Sequence, residues 1–183
     1  MEQNQNETFK HYKIRRLENN DKIESFDCGD EDLNDFLLHQ SSLFHAEKLA
    51  VNYTLENREN NDVLAFFSLS NDKIAVNDFE SKNKYNRFSR RFSNRKRLKS
   101  YPAVKICRLG VSNIMKGQRI GSAIMNYIKS YFINDNKSGC RFLTVDAYAN
   151  AIPFYIKNGF VPLNESDSHD ITRLLYFDLN DVS

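Results

Sequence analysis

Hydrophobic and polar positions along this chain follow strand-like and helix-like patterns in alternation. Short runs that alternate, or that are almost continuously apolar, predict β-strands where turn residues bound them. Such runs cover residues 11–17, 48–57, 62–72, 102–111, 140–146 and 172–179. The second and third runs are separated only by the polar stretch RENN, which predicts an antiparallel hairpin. Strands and helices in this order predict a mixed α/β domain built on a central sheet.

Apolar residues at helical spacing predict three helices between these strands. The first follows three acids at 30–32, which are favourable at a helix N-terminus. The apolar faces consist of Leu33, Phe36, Leu37 and Phe44 in the first helix, and of Ile120, Ile124, Ile128 and Tyr131 in the second. A third, short helix within 150–160 ends at Gly159, because glycine is common just after a helix C-terminus.

Three of the six glycines lie close together at the turn between the fourth strand and the second helix. They are Gly110, Gly117 and Gly121. A loop that opens a helix presents free N–H groups at the positive end of the helix dipole, which is a site for phosphates. Lys116 and Arg119 add positive charge, and a plain tight turn is the alternative. The segment contains neither GxxxxGK[ST] nor GxGxxG followed by an acid, which disfavours the P-loop and Rossmann classes.

The turn resembles the diphosphate loop of the GNAT superfamily of acetyl-CoA-dependent N-acetyltransferases. That loop reads Gln/Arg, two variable residues, Gly, one variable residue, Gly/Ala. The segment KGQRIG places Lys116 first, Arg119 fourth and Gly121 sixth, so Lys116 replaces Gln or Arg and Arg119 replaces the first glycine. An alternative register, QRIGSA from Gln118 to Ala123, fits the pattern literally. The first register is preferred because it keeps the spacing from the preceding RLGV.

This resemblance implies a GNAT-like fold, with a central mixed and mostly antiparallel sheet flanked by helices. We expect one domain over residues 1–183, with a basic insertion at about 80–100. The resemblance also implies that acetyl-CoA binds to the end of the strand and to the loop. The residues assigned to this contact are Leu109, Gly110, Val111, Lys116, Gly117, Gln118, Arg119, Ile120, Gly121 and Ser122.

A second motif, AIPFYIKNGF at 151–160, resembles the part of the same family in which a tyrosine stands near the thioester sulfur. That residue is Tyr155 here, and its alternative role is a core aromatic. A phenol of pKa about 10 can protonate a thiolate whose acid has a pKa of about 8.5, which makes Tyr155 the predicted general acid. Many family members carry an asparagine seven positions earlier, where this chain has Tyr148. We assign Asn150, which lies closer, to acetyl-CoA.

A general base is harder to find, because the strand AVKICRLGV contains no acid. Asp146 is the nearest carboxylate by pattern, although a strand-end acid is its ordinary interpretation. Without a strong base, an α-amino group of pKa about 8 is a better acceptor than a lysine of pKa about 10.4. None of the four histidines has metal-ligand spacing, and we predict no metal site.

The segment from Lys82 to Lys99 carries nine Lys or Arg residues and no acid. Its aromatic residues Tyr85, Phe88 and Phe92 are spaced for one face of a helix, which leaves the cations to solvent. Such a patch attracts RNA by releasing counterions. We predict that Arg87, Arg90, Arg91 and Arg95 bind the substrate. A solvated helix, or arginines turned to the 3′-phosphate of the cofactor, are the alternatives.

The segment FDCGDEDLNDFL at 26–37 resembles the first helix of the GNAT branch that includes the toxins which acetylate aminoacyl-tRNA. We therefore expect direct transfer of the acetyl group from acetyl-CoA to a primary amine, with the α-amino group of an aminoacyl-tRNA as the leading acceptor. An antitoxin partner and a homodimer accompany this expectation. The alternatives are an acetyltransferase of protein N-termini, lysines or a small amine, and a nucleic-acid or protein binding module without chemistry.

Length and composition agree with a cytoplasmic enzyme. A chain of 183 residues can bury a core without a metal or a disulfide. Its three cysteines form no CxxC pair and indicate a reducing compartment. No apolar run approaches the roughly 20 residues of a membrane span, so we expect no contact with a membrane.

Overall fold

The structure is a computed structural model that describes residues 10–92, 98–134, 138–165 and 170–181. The strands are β1 (Tyr12–Arg16), β2 (Val51–Asn57), β3 (Val63–Ala75), β4 (Ser100–Val111), β5 (Phe142–Tyr148), β6 (Val161–Pro162) and β7 (Thr172–Asp178). The helices are α1 (Glu31–Asp35), α2 (Ser41–Ala46), α3 (Lys82–Ser89), α4 (Ile120–Asn134) and α5 (Ile152–Lys157). No helix in these ranges is long and apolar enough to cross a membrane.

The strands form a mixed sheet in the order β1-β2-β3-β4-β5-β7-β6. The pairs β1–β2, β2–β3, β5–β7 and β6–β7 are antiparallel, whereas β4 and β5 are parallel. Strands β3 and β4 also run in opposite directions, because Ser112 N donates to Leu64 O and Val76 N donates to Lys99 O. The predicted mixed and mostly antiparallel sheet, including the hairpin of β2 and β3, is confirmed.

The chain divides into two compact units, and β3 and β4 contribute residues to both. The first unit contains the residues up to Ser70 together with Ile106–Ile128. The second contains Asn71–Lys105 and the chain from Lys129 onward. The single domain expected from the sequence stays a prediction.

The core of the first unit packs the predicted first helix against Phe66 of β3. Asp30 caps α1 by accepting a hydrogen bond from Leu33 N at 3.0 Å. The helix is then interrupted by a π-helical segment, Phe36–Gln40, before α2 begins. Phe36 and Leu37 of this segment are each 1% exposed. The predicted apolar face is therefore buried, although the helix is not continuous.

The core of the second unit is mainly aromatic. Tyr85 and Phe88 of α3 pack with Tyr101 and Phe142, and Phe92 lies against the same cluster just after the helix. Ser81 caps α3 by accepting from Lys84 N. The predicted helix and its buried face are thus confirmed for Tyr85 and Phe88, whereas the helix ends at Ser89, before Phe92. The cations of α3 are carried on an anchored element.

Candidate active site

The glycine-rich turn joins β4 to α4 and contains two residues in the left-handed region. After a short 3₁₀ turn at Asn113–Met115, Gly117 has a φ of +81° and Arg119 a φ of +60°. Glycine adopts this conformation without strain, whereas a residue with a Cβ does not. Arg119 stands where the GNAT pattern has its first glycine, so the backbone keeps the conformation that the pattern glycine would favour.

The surroundings of this loop suit a diphosphate. A Cβ placed on Gly117 would meet no atom within 4 Å, so the space beside the loop is open. Lys116 and Arg119 are exposed, and the first turn of α4 contains no acid. The first N–H groups of a helix have no acceptor within it and can bind an anion. The side chain of Ile120 lies in the core, so only its main chain can contribute.

Gly110 allows the side chain of Phe66 in β3 to lie close against β4. A Cβ on Gly110 would lie 2.6 Å from Cε1 of Phe66, a distance that atoms cannot share. The aromatic ring of Phe66 therefore fixes this residue as glycine. Its neighbours Leu109 and Val111 are half-buried at the end of β4. The pairing of β4 with β5 runs from Ala103 to Lys105, and Leu109 and Val111 lie beyond it.

Two residues that sequence reasoning did not single out hold the start of the loop. Asn113 Nδ2 donates to Asp27 Oδ2 at 2.7 Å, and Asn113 N donates to Asp27 O at 2.9 Å. Asp27 lies in FDCGD, a segment whose only sequence signal is a family resemblance. No local signal connects it to Asn113, because the two residues are 86 positions apart.

Tyr155 lies in α5 and is 6% exposed. Its ring makes edge contacts with Phe154 and Phe160, with centroids 5.2 and 5.4 Å apart. Burial raises the pKa of the Tyr155 phenol to about 12, because the phenolate would be poorly solvated. The hydroxyl is therefore fully protonated at neutral pH, which a general acid requires.

The end of α5 is fixed by Lys129 of α4. Lys129 Nζ donates to Asn158 O at 2.5 Å and lies 3.9 Å from the centre of the Phe177 ring. Burial lowers the pKa of the Lys129 ammonium, since the charged form is desolvated. Gly159, with a φ of +82°, follows the helix at the C′ position, as predicted. These contacts set the position of the helix that carries Tyr155.

The other candidates in the second unit are exposed. Asn150 lies in the turn before α5, and Tyr148 is 60% exposed at the end of β5. Asp146 lies within β5, where its carboxylate is ion-paired with Lys105. The structure thus agrees with a structural role for Asp146.

The predicted substrate-binding arginines have different surroundings. Arg87 and Arg90 are exposed on or beside α3. Arg91 is ion-paired with Asp178 and Asp181 and also donates to the hydroxyl of Tyr176. It serves at least in part as an anchor of the segment. Arg95 lies outside the described residues.

A known protein family matches the part of the chain that contains the glycine-rich turn. Residues 92–175 match the acetyltransferase (GNAT) domain. These residues therefore belong to a GNAT acetyltransferase domain. The fold and the enzyme class predicted from the sequence are thereby confirmed. No curated protein sequence gives a significant match.

Solved structures share the fold of this chain over most of its length. A tyrosine-to-phenylalanine mutant of KacT has a TM-score of 0.74 at 22% identity, with 93% of this chain and 96% of that chain covered. AtaT complexed with acetyl-methionyl-tRNAfMet has a TM-score of 0.70 at 24% identity, with the same coverage. AtaTR bound with AcCoA has a TM-score of 0.70 at 25% identity and covers 93% of this chain and 95% of that chain.

Proposed function

We propose that this enzyme transfers an acetyl group from acetyl-CoA to the α-amino group of an aminoacyl-tRNA by direct attack. The observation that carries the proposal is the turn before α4. Its backbone is left-handed at Gly117 and Arg119, Lys116 and Arg119 supply positive charge, and the space beside Gly117 is open. The likeness to AtaT, whose complex holds an acetylated aminoacyl-tRNA, supports the choice of acceptor.

The residues of the chain divide the chemistry between them. Lys116, Arg119 and the first N–H groups of α4 hold the diphosphate of acetyl-CoA. The end of β4 at Leu109–Val111 offers main-chain groups to the pantetheine arm and an N–H to the thioester oxygen. Acetyl-CoA supplies the acetyl group as an activated thioester. Tyr155 gives its proton to the departing thiolate, and Asn150 contacts acetyl-CoA from the exposed turn before α5.

The acceptor is assigned from charge and basicity. Asp146 is paired with Lys105, and the β4 segment contains no acid, which favours an amine that is partly neutral at pH 7. A cavity of about 640 Å³ is lined by the cations Arg87, Lys84 and Arg173, and by Glu165, which is ion-paired with Lys84. Phe79 and Tyr176 contribute aromatic surface to the same cavity. Cations beside aromatic rings suit a single-stranded nucleotide, because the phosphate and the base each find a partner.

An antitoxin, a homodimer and action in the cytoplasm are further parts of this proposal. Their support is the likeness to toxin structures, among them AtaT bound to the C-terminus of its antitoxin AtaR. A protein N-terminus, a lysine or a small amine is the alternative acceptor. A binding module without chemistry is the alternative from another class.

The test is acetyl transfer with labelled acetyl-CoA and three kinds of acceptor: charged tRNA, peptides and polyamines. We expect label on the aminoacyl group of charged tRNA, and none on tRNA that carries no amino acid. Transfer to peptides or polyamines alone would contradict the tRNA assignment and keep the enzyme. Binding of tRNA without transfer to any acceptor would favour the binding module.

A further inference from the structure

We propose that Asp27 is a positioning residue for acetyl-CoA, which acts by holding the start of the diphosphate loop through Asn113 and Lys116. This inference rests on the proposed function of that loop. It assigns a task to the segment FDCGD, which precedes α1 and is far from the loop in sequence.

Asp27 accepts hydrogen bonds with both carboxylate oxygens and with its main-chain carbonyl oxygen. Oδ1 accepts from Gly29 N at 2.8 Å and from Asn34 Nδ2 at 3.1 Å, which fixes the orientation of the carboxylate. Oδ2 accepts from Asn113 Nδ2, and the carbonyl oxygen accepts from Asn113 N. Asn113 is the first residue of the short 3₁₀ turn that opens the glycine-rich loop, and Gly29 lies in the loop before α1. Asp27 is thus a bridge from one loop to another, with two bonds directed at Asn113.

The bridge is anchored in the core through the residues on either side of Asp27. The flanking residues Phe26 and Cys28 are each 8% exposed and belong to the core of the first unit, whereas Asp27 itself is exposed. The core therefore fixes the backbone of this segment, and the exposed carboxylate reaches out to Asn113. Removing the carboxylate should leave the core intact and release the loop.

Lys116, a proposed diphosphate ligand, lies at the same bridge. A Cβ added to Gly29 would lie 3.2 Å from Lys116 Nζ and 3.1 Å from Asn113 Oδ1, so both side chains pack closely over this glycine. The pKa of the Asp27 carboxyl is lowered, first by the hydrogen bond from Gly29 N and further by Asn34, Asn113 and the charge of Lys116. The carboxylate stays ionised and attracts the ammonium of Lys116.

A carboxylate near a diphosphate site would by charge alone weaken the binding of acetyl-CoA. Its presence is explained if holding Asn113 and Lys116 in place adds more to the free energy of acetyl-CoA binding than the charge repulsion takes away. The two effects have opposite signs, so they can be separated by experiment. If Asp27 only added negative charge, a variant in which this charge is removed would bind acetyl-CoA more tightly than the wild type.

The experiment exchanges the two partners. Asn113→Asp places two carboxylates against each other and should raise the Kd for acetyl-CoA about 10- to 100-fold, the range for a lost hydrogen bond to a charged group. In the double variant Asp27→Asn with Asn113→Asp, the amide at 27 still accepts from Gly29 N and donates to the new carboxylate. This double variant should return the Kd to within about threefold of the wild type, because coupled pairs are not additive.

Three measurements accompany the exchange. Calorimetry gives the Kd, steady-state kinetics separates KM from kcat, and hydrogen exchange reports the amides of residues 113–118. We expect KM for acetyl-CoA to rise in Asn113→Asp with little change in kcat at saturation, and the loop amides to exchange faster. The melting temperature should stay within a few degrees, since both side chains are exposed.

Gly121→Asp is the control that tests the loop itself. If it abolishes acetyl-CoA binding while the exchange variants bind normally, the loop assignment stands and the role of Asp27 is wrong. If Asn113→Asp and the double variant bind acetyl-CoA equally weakly, the proposed role of Asp27 is also wrong. Restored binding in the double variant is the result that distinguishes this role. Failure of the wild-type protein to bind acetyl-CoA would overturn both the proposed function and this inference.

Discussion

Arg91 Nη2 donates to Oδ2 of Asp178 at 3.1 Å, and the Asp178 side chain is only 1% exposed. Arg141 contacts the same carboxylate at 2.9 and 3.0 Å. A carboxylate this deeply buried requires cationic partners, because desolvation would otherwise oppose its charge. Arg91, which the sequence predicts to bind RNA, therefore also anchors the basic segment to β7.

The first prediction concerns stability. Arg91→Gln should lower the free energy of unfolding by about 1–2 kcal/mol, less than for a fully broken buried pair because Arg141 remains. For a chain of this size, that corresponds to a melting temperature lower by roughly 2–8 °C. Arg87→Gln is the matched control and should change the melting temperature by less than about 1 °C, since Arg87 is exposed. Equal melting temperatures for the two variants would rule out the anchoring role.

The second prediction concerns RNA. Arg87→Gln with Arg90→Gln should weaken the binding of charged tRNA and reduce the slope of log K against log salt by about 1 for each lost phosphate contact. Acetyl-CoA affinity should stay nearly the same. Binding is measured by filter retention at several salt concentrations. A loss of acetyl-CoA affinity with unchanged tRNA binding would assign these arginines to the cofactor instead.

The third prediction concerns the strained residue of the loop. Arg119→Gly and Arg119→Ala both remove the cation, but only glycine accepts a φ of +60° without cost. The glycine variant should be more stable than the alanine variant by about 1 kcal/mol, the order of the left-handed penalty. Urea denaturation of the two variants gives the difference. If alanine is as stable as glycine, Arg119 does not hold this conformation in solution.

Local features of this protein could be predicted from the sequence because their signals are local. Glycines and helical spacing located the turn before Ile120, and aromatic spacing located the helix of Tyr85 and Phe88 with its buried face. The π-helical interruption at Phe36–Gln40 could not be found, because one added residue scarcely disturbs the apolar spacing. The two-residue strand β6 is too short to show a period.

Contacts between distant residues were beyond sequence reasoning. Asp178 lies 87 positions from Arg91, and Asp27 lies 86 positions from Asn113. No periodicity relates such residues, so an arginine in a basic run was assigned to RNA without its acidic partner. Gly110 shows the same limit, since its closest neighbour is Phe66 of another strand.

The fourth prediction concerns Tyr155→Phe, which keeps the ring and removes the hydroxyl. If Tyr155 is the general acid, kcat with a saturating acceptor should fall at least about 100-fold, the lower end for general acid catalysis. The ring contacts with Phe154 and Phe160 persist, so the melting temperature and the acetyl-CoA affinity should change little. Single-turnover transfer and melting are measured on the same preparation. Normal transfer by a stable Phe variant would exclude Tyr155 from the mechanism.

The last prediction is the pH dependence that follows from the buried phenol. A general acid acts when protonated, and burial raises the pKa of Tyr155 to about 12, so its active form persists well above neutral pH. The single-turnover rate of the wild-type enzyme should rise as an α-amino acceptor of pKa about 8 loses its proton. It should then stay level to about pH 10, because Tyr155 is still protonated there. The matched control is the Phe variant, whose lower rate should rise with the same acceptor pKa. A decline below pH 10 in the wild type that is missing from the Phe variant would show that the Tyr155 phenol titrates at an ordinary pKa, in conflict with its burial.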